Sequence, residues 1–147
     1  MGAALLLGEY EHTIDEKNRL TLPARFRESF SEGVVITRGM DRCLSVYPRG
    51  EWERAVDARV GALDPLSREA RSLQRYFYSA AIEAELDRQG RIVVPAGLVE
   101  YAELGRDVVV AGVRDRLEVW NRDAWHKQRD EIEGSAEHVA QRLATER

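Results

Sequence analysis

Two five-residue segments, Asp15-Glu16-Lys17-Asn18-Arg19 and Asp87-Arg88-Gln89-Gly90-Arg91, place a carboxylate four residues ahead of an arginine. A carboxylate opening a polar turn accepts the turn's backbone N–H groups or pairs with the arginine, and either contact preorganises the guanidinium. Such an arginine offers a planar fork of donors suited to guanine or phosphate. Around the first segment, Lys17, Arg19, Arg25 and Arg27 put four cations within eleven residues, with no acid between Lys17 and Arg27. The formal net charge of −4 hides this patch, and binding a polyanion needs clustered cations rather than a basic total. The other reading is that the Asp–Arg pair only locks a turn. On either segment alone the two readings stand level, and the second copy favours a binding role.

Other chemistry finds little support. His12, His126 and His138 lie far from one another and from Cys43 in the chain, and Asp15, Asp87, His12 and Glu83 form no acid–base constellation. There is no metal-ligand spacing, glycine-rich phosphate loop or nucleophile elbow. The residues therefore predict a protein that is not an enzyme and uses no metal or cofactor. A single cysteine in the apolar run Cys43-Leu44-Ser45-Val46-Tyr47 reads as a buried hydrophobe in a reducing compartment. The start, Met1 to Glu9, has a short apolar run without a basic flank, and no stretch approaches membrane-spanning length. A cytoplasmic protein without membrane contact is expected.

The elements that must hold these turns repeat. Ile14 to Ala24 reappears as Leu86 to Ala96, and Leu44-Ser45-Val46-Tyr47 then matches Leu117-Glu118-Val119-Trp120, with Trp52 matching Trp125. A one-residue slip between these blocks aligns Val35 with Val108. Each unit predicts a strand, a polar turn, a return strand, a short helix, two more strands and a helix opening near the tryptophan. Asn18 and Gly90 hold the same turn position, and both residue types tolerate a left-handed backbone. Pro23 and Pro95 suit the first turn of a helix, Phe26 and Phe30 share one helical face, and Gly33 ends it.

The expected organisation is a first module over residues 8–54, a helical connector over 55–80, a second module over 81–124 and a helical tail over 125–147. In the connector, Asp64-Pro65 reads as an N-cap, and Leu66, Ala70, Leu73 and Phe77 read as its buried stripe. Modules this small bury little core alone, so the pair is expected to form one mainly-β α+β body, a double-ψ-like β-barrel with short peripheral helices.

Taken in order, Asp15-x-x-x-Arg19-Leu20-x-x-Pro23 with Arg25-x-Arg27, Leu44-x-Val46-Tyr47-Pro48, Glu51-Trp52-Glu53, Asp87-x-x-Gly90-Arg91, and Leu117-Glu118-Val119-Trp120 with Trp125 resemble the MraZ family, whose modules are of the swapped-hairpin AbrB-like kind. The likeness covers nearly the whole chain, and Asn18 departs from the family pattern, which has glycine there. The resemblance implies a double AbrB-like barrel and ring-like homo-oligomers. It also implies nucleoid-associated regulation of transcription, through short G-rich direct repeats in DNA upstream of the regulator's own division and cell-wall gene cluster. Arg19 and Arg91 then read guanines, Lys17, Arg25, Arg27 and, more weakly, Arg88 contact phosphates, and Asp15, Asn18, Asp87 and Gly90 organise the turns. Because the cations cluster in the first module, its turn is expected to carry most of the DNA contacts. The competing classes are an oligomeric interaction scaffold and an antitoxin-type AbrB-like module; the latter pairs one module with a long tail, unlike the doubled module here.

Overall fold

The computed structural model describes residues 5–146, so Met1–Ala4 of the N-terminal apolar run lies outside the described residues, as does Arg147. In chain order the elements are β1 (Leu6–Thr13), β2 (Arg19–Thr21), β3 (Val34–Arg38), β4 (Leu44–Pro48), α1 (Arg49–Trp52), α2 (Ala58–Val60), α3 (Arg68–Tyr78), β5 (Ile82–Ala84), β6 (Arg91–Val93), α4 (Ala96–Tyr101), β7 (Asp107–Arg114), β8 (Leu117–Asn121) and α5 (Arg122–Thr145). A 3-10 helix over Ala24–Phe30 stands where the second repeat has α4, and Pro23 and Pro95 occupy the two N-cap positions, one residue before the expected first turn. Phe26 and Phe30 are buried, as their spacing predicts, but the helix ends at Phe30 with Ser31 as its C-cap, and Gly33, expected to end it, lies two residues farther on at φ 123°. The repeat extends to packing: Tyr47 meets Trp52 edge-on at 5.8 Å between ring centroids, and their counterparts Trp120 and Trp125 meet at 5.6 Å.

The two repeats interleave. The strands form a six-stranded antiparallel sheet, ordered β1-β7-β8-β4-β3-β5, and a two-stranded ribbon β2-β6. β1 runs along β7 from Leu6↔Arg114 to Thr13↔Asp107, β2 along β6 through Leu20↔Ile92, β3 along β5 through Ile36↔Ile82, and β4 along β8 through Val46↔Leu117. The expected hairpin of β1 and its return strand β2 is therefore closed only at its neck, by the bridge Ile14↔Leu20 and an Asp15 N–H to Arg19 carbonyl bond of 3.1 Å. Alternation fixes which face of a strand is buried and leaves its neighbour undetermined. The exchange places Leu20 and Ile92 of the ribbon, and Leu22 and Val94 just past it, in one core with Val34, Ile36, Val108, Val110, Leu117 and Val119 of the sheet. The fold is a mainly-sheet α+β body in which β1 and β5 are the edges of the larger sheet; closure into the expected barrel is not among these strand ladders.

The connector differs from its expected form. α3 starts at Arg68 with Ser67 as N-cap, its hydroxyl accepting the Ala70 N–H at 3.3 Å, while Asp64 instead closes a preceding turn by accepting the Leu66 N–H at 2.9 Å. Leu66 is 87% exposed and Leu73 40% exposed, so only Ala70 and Phe77 of the expected stripe face inward. Polar side chains complete the inner face: Gln74 donates to the Val60 and Leu63 carbonyls, and Tyr78 donates to Asp57 at 2.6 Å. The buried Thr37 hydroxyl donates to the Phe77 carbonyl at 2.6 Å and ties α3 to β3.

Candidate nucleic-acid interface

The turn Asp15–Arg19 is a small hydrogen-bonded cage. Asp15 Oδ1 accepts the backbone N–H groups of Lys17 and Arg19, each at 2.9 Å, and Oδ2 accepts Arg19 Nε at 2.6 Å. The turn Asp87–Arg91 repeats it. Asp87 Oδ1 accepts Gln89 N–H at 2.8 Å and Arg91 N–H at 2.9 Å, and Oδ2 accepts Arg91 Nε at 2.8 Å. The N–H of Asn18 bonds the Asp15 carbonyl and that of Gly90 the Asp87 carbonyl, both at 3.0 Å. Asn18 has φ 58° and Gly90 φ 74°, the left-handed conformation predicted for both.

Each arginine spends its Nε on the aspartate, and neither terminal Nη nitrogen has a partner among the described residues. Two guanidinium nitrogens left free in this way can take a guanine edge or a phosphate as a pair. Both pairs stand on exposed turns, where Coulomb attraction alone orders little. Order comes from the backbone donors: the Arg19 N–H, then the Arg19 guanidinium and the Lys17 N–H, hold the Asp15 carboxyl below the usual carboxylate range. The Arg91 N–H, its guanidinium and the Gln89 N–H do the same for Asp87.

The two turns are tied to each other. Leu22, just past β2, donates its N–H to the Gly90 carbonyl at 2.9 Å, and Val94, its counterpart past β6, donates to the Asn18 carbonyl at 2.8 Å. Each turn is thus anchored on the return strand of the other repeat, which follows from the β2–β6 pairing. A pseudo-two-fold pair of Asp–Arg cages on one ribbon is the result.

The remaining cations distribute differently in space than along the chain. Lys17 and Arg88 are exposed on their own turns. Arg25, also exposed, turns back toward β1, where Nη1 donates to the Tyr10 hydroxyl at 2.6 Å and the guanidinium lies 5.9 Å from the Tyr10 ring centroid. Arg27 packs against Gly90 of the second turn, its Nε donating to the Leu22 carbonyl at 3.2 Å. Arg106, which the sequence reading missed, borders the first turn: its carbonyl accepts the Ile14 N–H at 2.8 Å, and it lines a cleft of about 720 Å³ with Asp15, Lys17, Asn18, Arg19 and Val99. In the strand register its repeat counterpart is Glu32, so repetition does not mark it. Lys17, Arg19 and Arg106 thus stand at the first turn, and Arg88, Arg91 and Arg27 at the second.

Among the described residues, the other elements supply no rival site. Burial pushes the Cys43 thiol far above its ordinary range, and Sγ lies 3.1 Å from the Met40 carbonyl, the environment of an inert core residue. Among the described residues no group of three or more His, Cys, Asp and Glu is placed to hold a metal ion, and no helix is long and apolar enough to cross a membrane.

Comparison with known proteins agrees with the arrangement in duplicate. The family described as "MraZ protein, putative antitoxin-like" matches residues 5–75 and again 77–147. A protein of Roseiflexus castenholzii named transcriptional regulator MraZ is 50% identical over 140 residues, covering 95% of this chain and 97% of that protein. One of the same name from Heliobacterium modesticaldum is 48% identical over 139 residues, covering 95% and 96%. Two matches of one family, each containing one Asp–Arg turn, account for nearly the whole chain, and the chain belongs to the MraZ family, whose curated members are named as transcriptional regulators and not as enzymes.

Proposed function

We propose that this chain is a sequence-specific DNA-binding regulator of transcription that reads short G-rich direct repeats, as an oligomer, upstream of its own division and cell-wall gene cluster. The observation that carries the reading is the pair of Asp–Arg cages. In both, the carboxylate takes Nε and leaves Nη1 and Nη2 without a partner among the described residues, on turns joined by the β2–β6 ribbon, and such a donor pair can take guanine O6 and N7 bidentately. Lys17, Arg25 and Arg88 supply phosphate contacts and therefore register and salt dependence. Asp15, Asn18, Asp87 and Gly90 organise the turns. The shared core supports reading sheet and ribbon together as one double-ψ-like barrel body.

Reading several short repeats favours several linked chains, because linkage raises the effective concentration of each turn at its site. The distal part of α5 supports self-association: beyond Asp130 nearly every residue is exposed, including Ile132 and Leu143. Its first turns dock on the sheet, where Trp125 Nε1 and Arg129 Nη1 each donate to Glu9 Oε2 at 2.9 Å. Nucleoid association and cytoplasmic residence follow from the same reading. The test is footprinting on the DNA upstream of the chain's own gene. Protection of regularly spaced G-rich repeats supports the proposal, and equal affinity for that DNA and a scrambled duplex at every salt concentration removes it.

A further inference from the structure

The two turns are built alike and covered differently. Gly90 is buried, and a Cβ built on it would lie 2.2 Å from Arg27 Nε and 2.6 Å from both Cδ and Cζ. Its counterpart Asn18 carries a full side chain at nearly the same φ, 58° against 74°, and is half-buried at the cleft lined by Val99. Residue 99 is the repeat counterpart of residue 27. Where the first repeat lays an arginine across the second turn, the second repeat therefore returns only a valine, and the first turn keeps an open cleft. Asn18 also shows that this backbone conformation admits a residue other than glycine. At 90 the arginine above the turn adds a steric limit to the left-handed φ that already favours glycine.

We infer that Arg27 is a positioning residue for the second turn, acting across the repeats, and that it and Gly90 form one coupled unit. Its Nε holds the Leu22 carbonyl, and the Leu22 N–H holds the Gly90 carbonyl, so arginine and turn are fastened to the same residue. The His12 imidazole stands on the same side, its pKa lowered first by burial and then by the Arg27 cation. Arg27 is half-buried and fixes the loop that carries Arg91. For DNA this inference rests on the function proposed above, whereas the coupling of Arg27 to Gly90 does not.

Two experiments on the full chain separate these parts. The first is a thermal-unfolding cycle at one protein concentration with Gly90→Asn, Arg27→Val and the double variant, which rebuilds at the second turn the Asn–Val pair of the first. Gly90→Asn should lower Tm in the parent and lose most of that effect in the Arg27→Val background. An equal drop in both backgrounds overturns the coupling. The second compares Arg27→Ala with the parent for DNA affinity against salt, and for amide exchange at Gln89, Gly90 and Arg91. A phosphate contact flattens the slope of log K against log salt by about one unit when removed. A positioning residue lowers affinity at unchanged slope and speeds exchange at the second turn while Lys17, Asn18 and Arg19 stay protected. A flattened slope with unchanged exchange overturns the positioning role. If the parent binds no DNA, the proposed function falls, and the unfolding cycle still decides the coupling.

Discussion

At the residue scale, the proposed function concentrates in two guanidinium groups and the carboxylates that hold them. Arg19→Ala and Arg91→Ala should each cost about 1–3 kcal/mol of operator affinity and relax base preference while leaving the fold intact, as measured by anisotropy titration on native and guanine-substituted duplexes. The losses should be comparable, since Arg27 sides with the second turn and Arg106 with the first. Protonation gives a further check. The folded pKa values of Asp15 and Asp87 are depressed, so the stabilisation they lend their turns is present above the ordinary carboxylate pKa and is lost as pH falls through the lower folded value. The Nε–H resonances of Arg19 and Arg91 should stay protected from exchange down through the range where free carboxylates protonate, and should lose protection only below it. Loss near neutral pH would mean that these cages do not hold in solution. The Asp–Arg spacing and the left-handed fourth position were legible in the sequence because they are local and occur twice. The placement of Arg27 was not, since it depends on which strand β2 joins.

At the scale of elements, the 3-10 helix after the first turn and α4 after the second set each return strand on the core. Phe30 is among the largest fully buried side chains, and Phe30→Ala should cost about 3–5 kcal/mol in chemical denaturation. A loss below about 1 kcal/mol would show that this helix is not seated on the core as described. The strands themselves were legible in part: β1 beyond Gly8 and the short β2 and β6 alternate with the period of two, whereas Leu44–Tyr47 of β4 are buried on both faces. Their partners were not, because two repeats of like apolar pattern offer each strand equivalent apolar faces from either copy. The inner face of α3 was misjudged for another reason: hydrophobic periodicity counts Leu66 and Leu73 and overlooks Gln74 and Tyr78, which turn inward through hydrogen bonds.

At the scale of the whole molecule, interleaving makes the two repeats one cooperative unit, since β1, β2, β3 and β4 each pair with a strand of the other repeat. Unfolding of the full chain should show one transition by far-UV and tryptophan signals alike. A fragment of residues 77–147 alone should either stay unfolded or pair with a second copy of itself. Within an oligomer, neighbouring chains should meet DNA repeats spaced by about one helical turn, so inserting half a turn between repeats should weaken binding far more than inserting a whole turn. The most direct measurement of the central claim is the affinity of the parent chain for its own upstream DNA and for a scrambled duplex across a salt series, repeated with Arg19→Ala/Arg91→Ala. The account predicts a native preference that persists at moderate salt and disappears in the double variant, with scattering mass and fold unchanged. A folded double variant that keeps the native preference would contradict it.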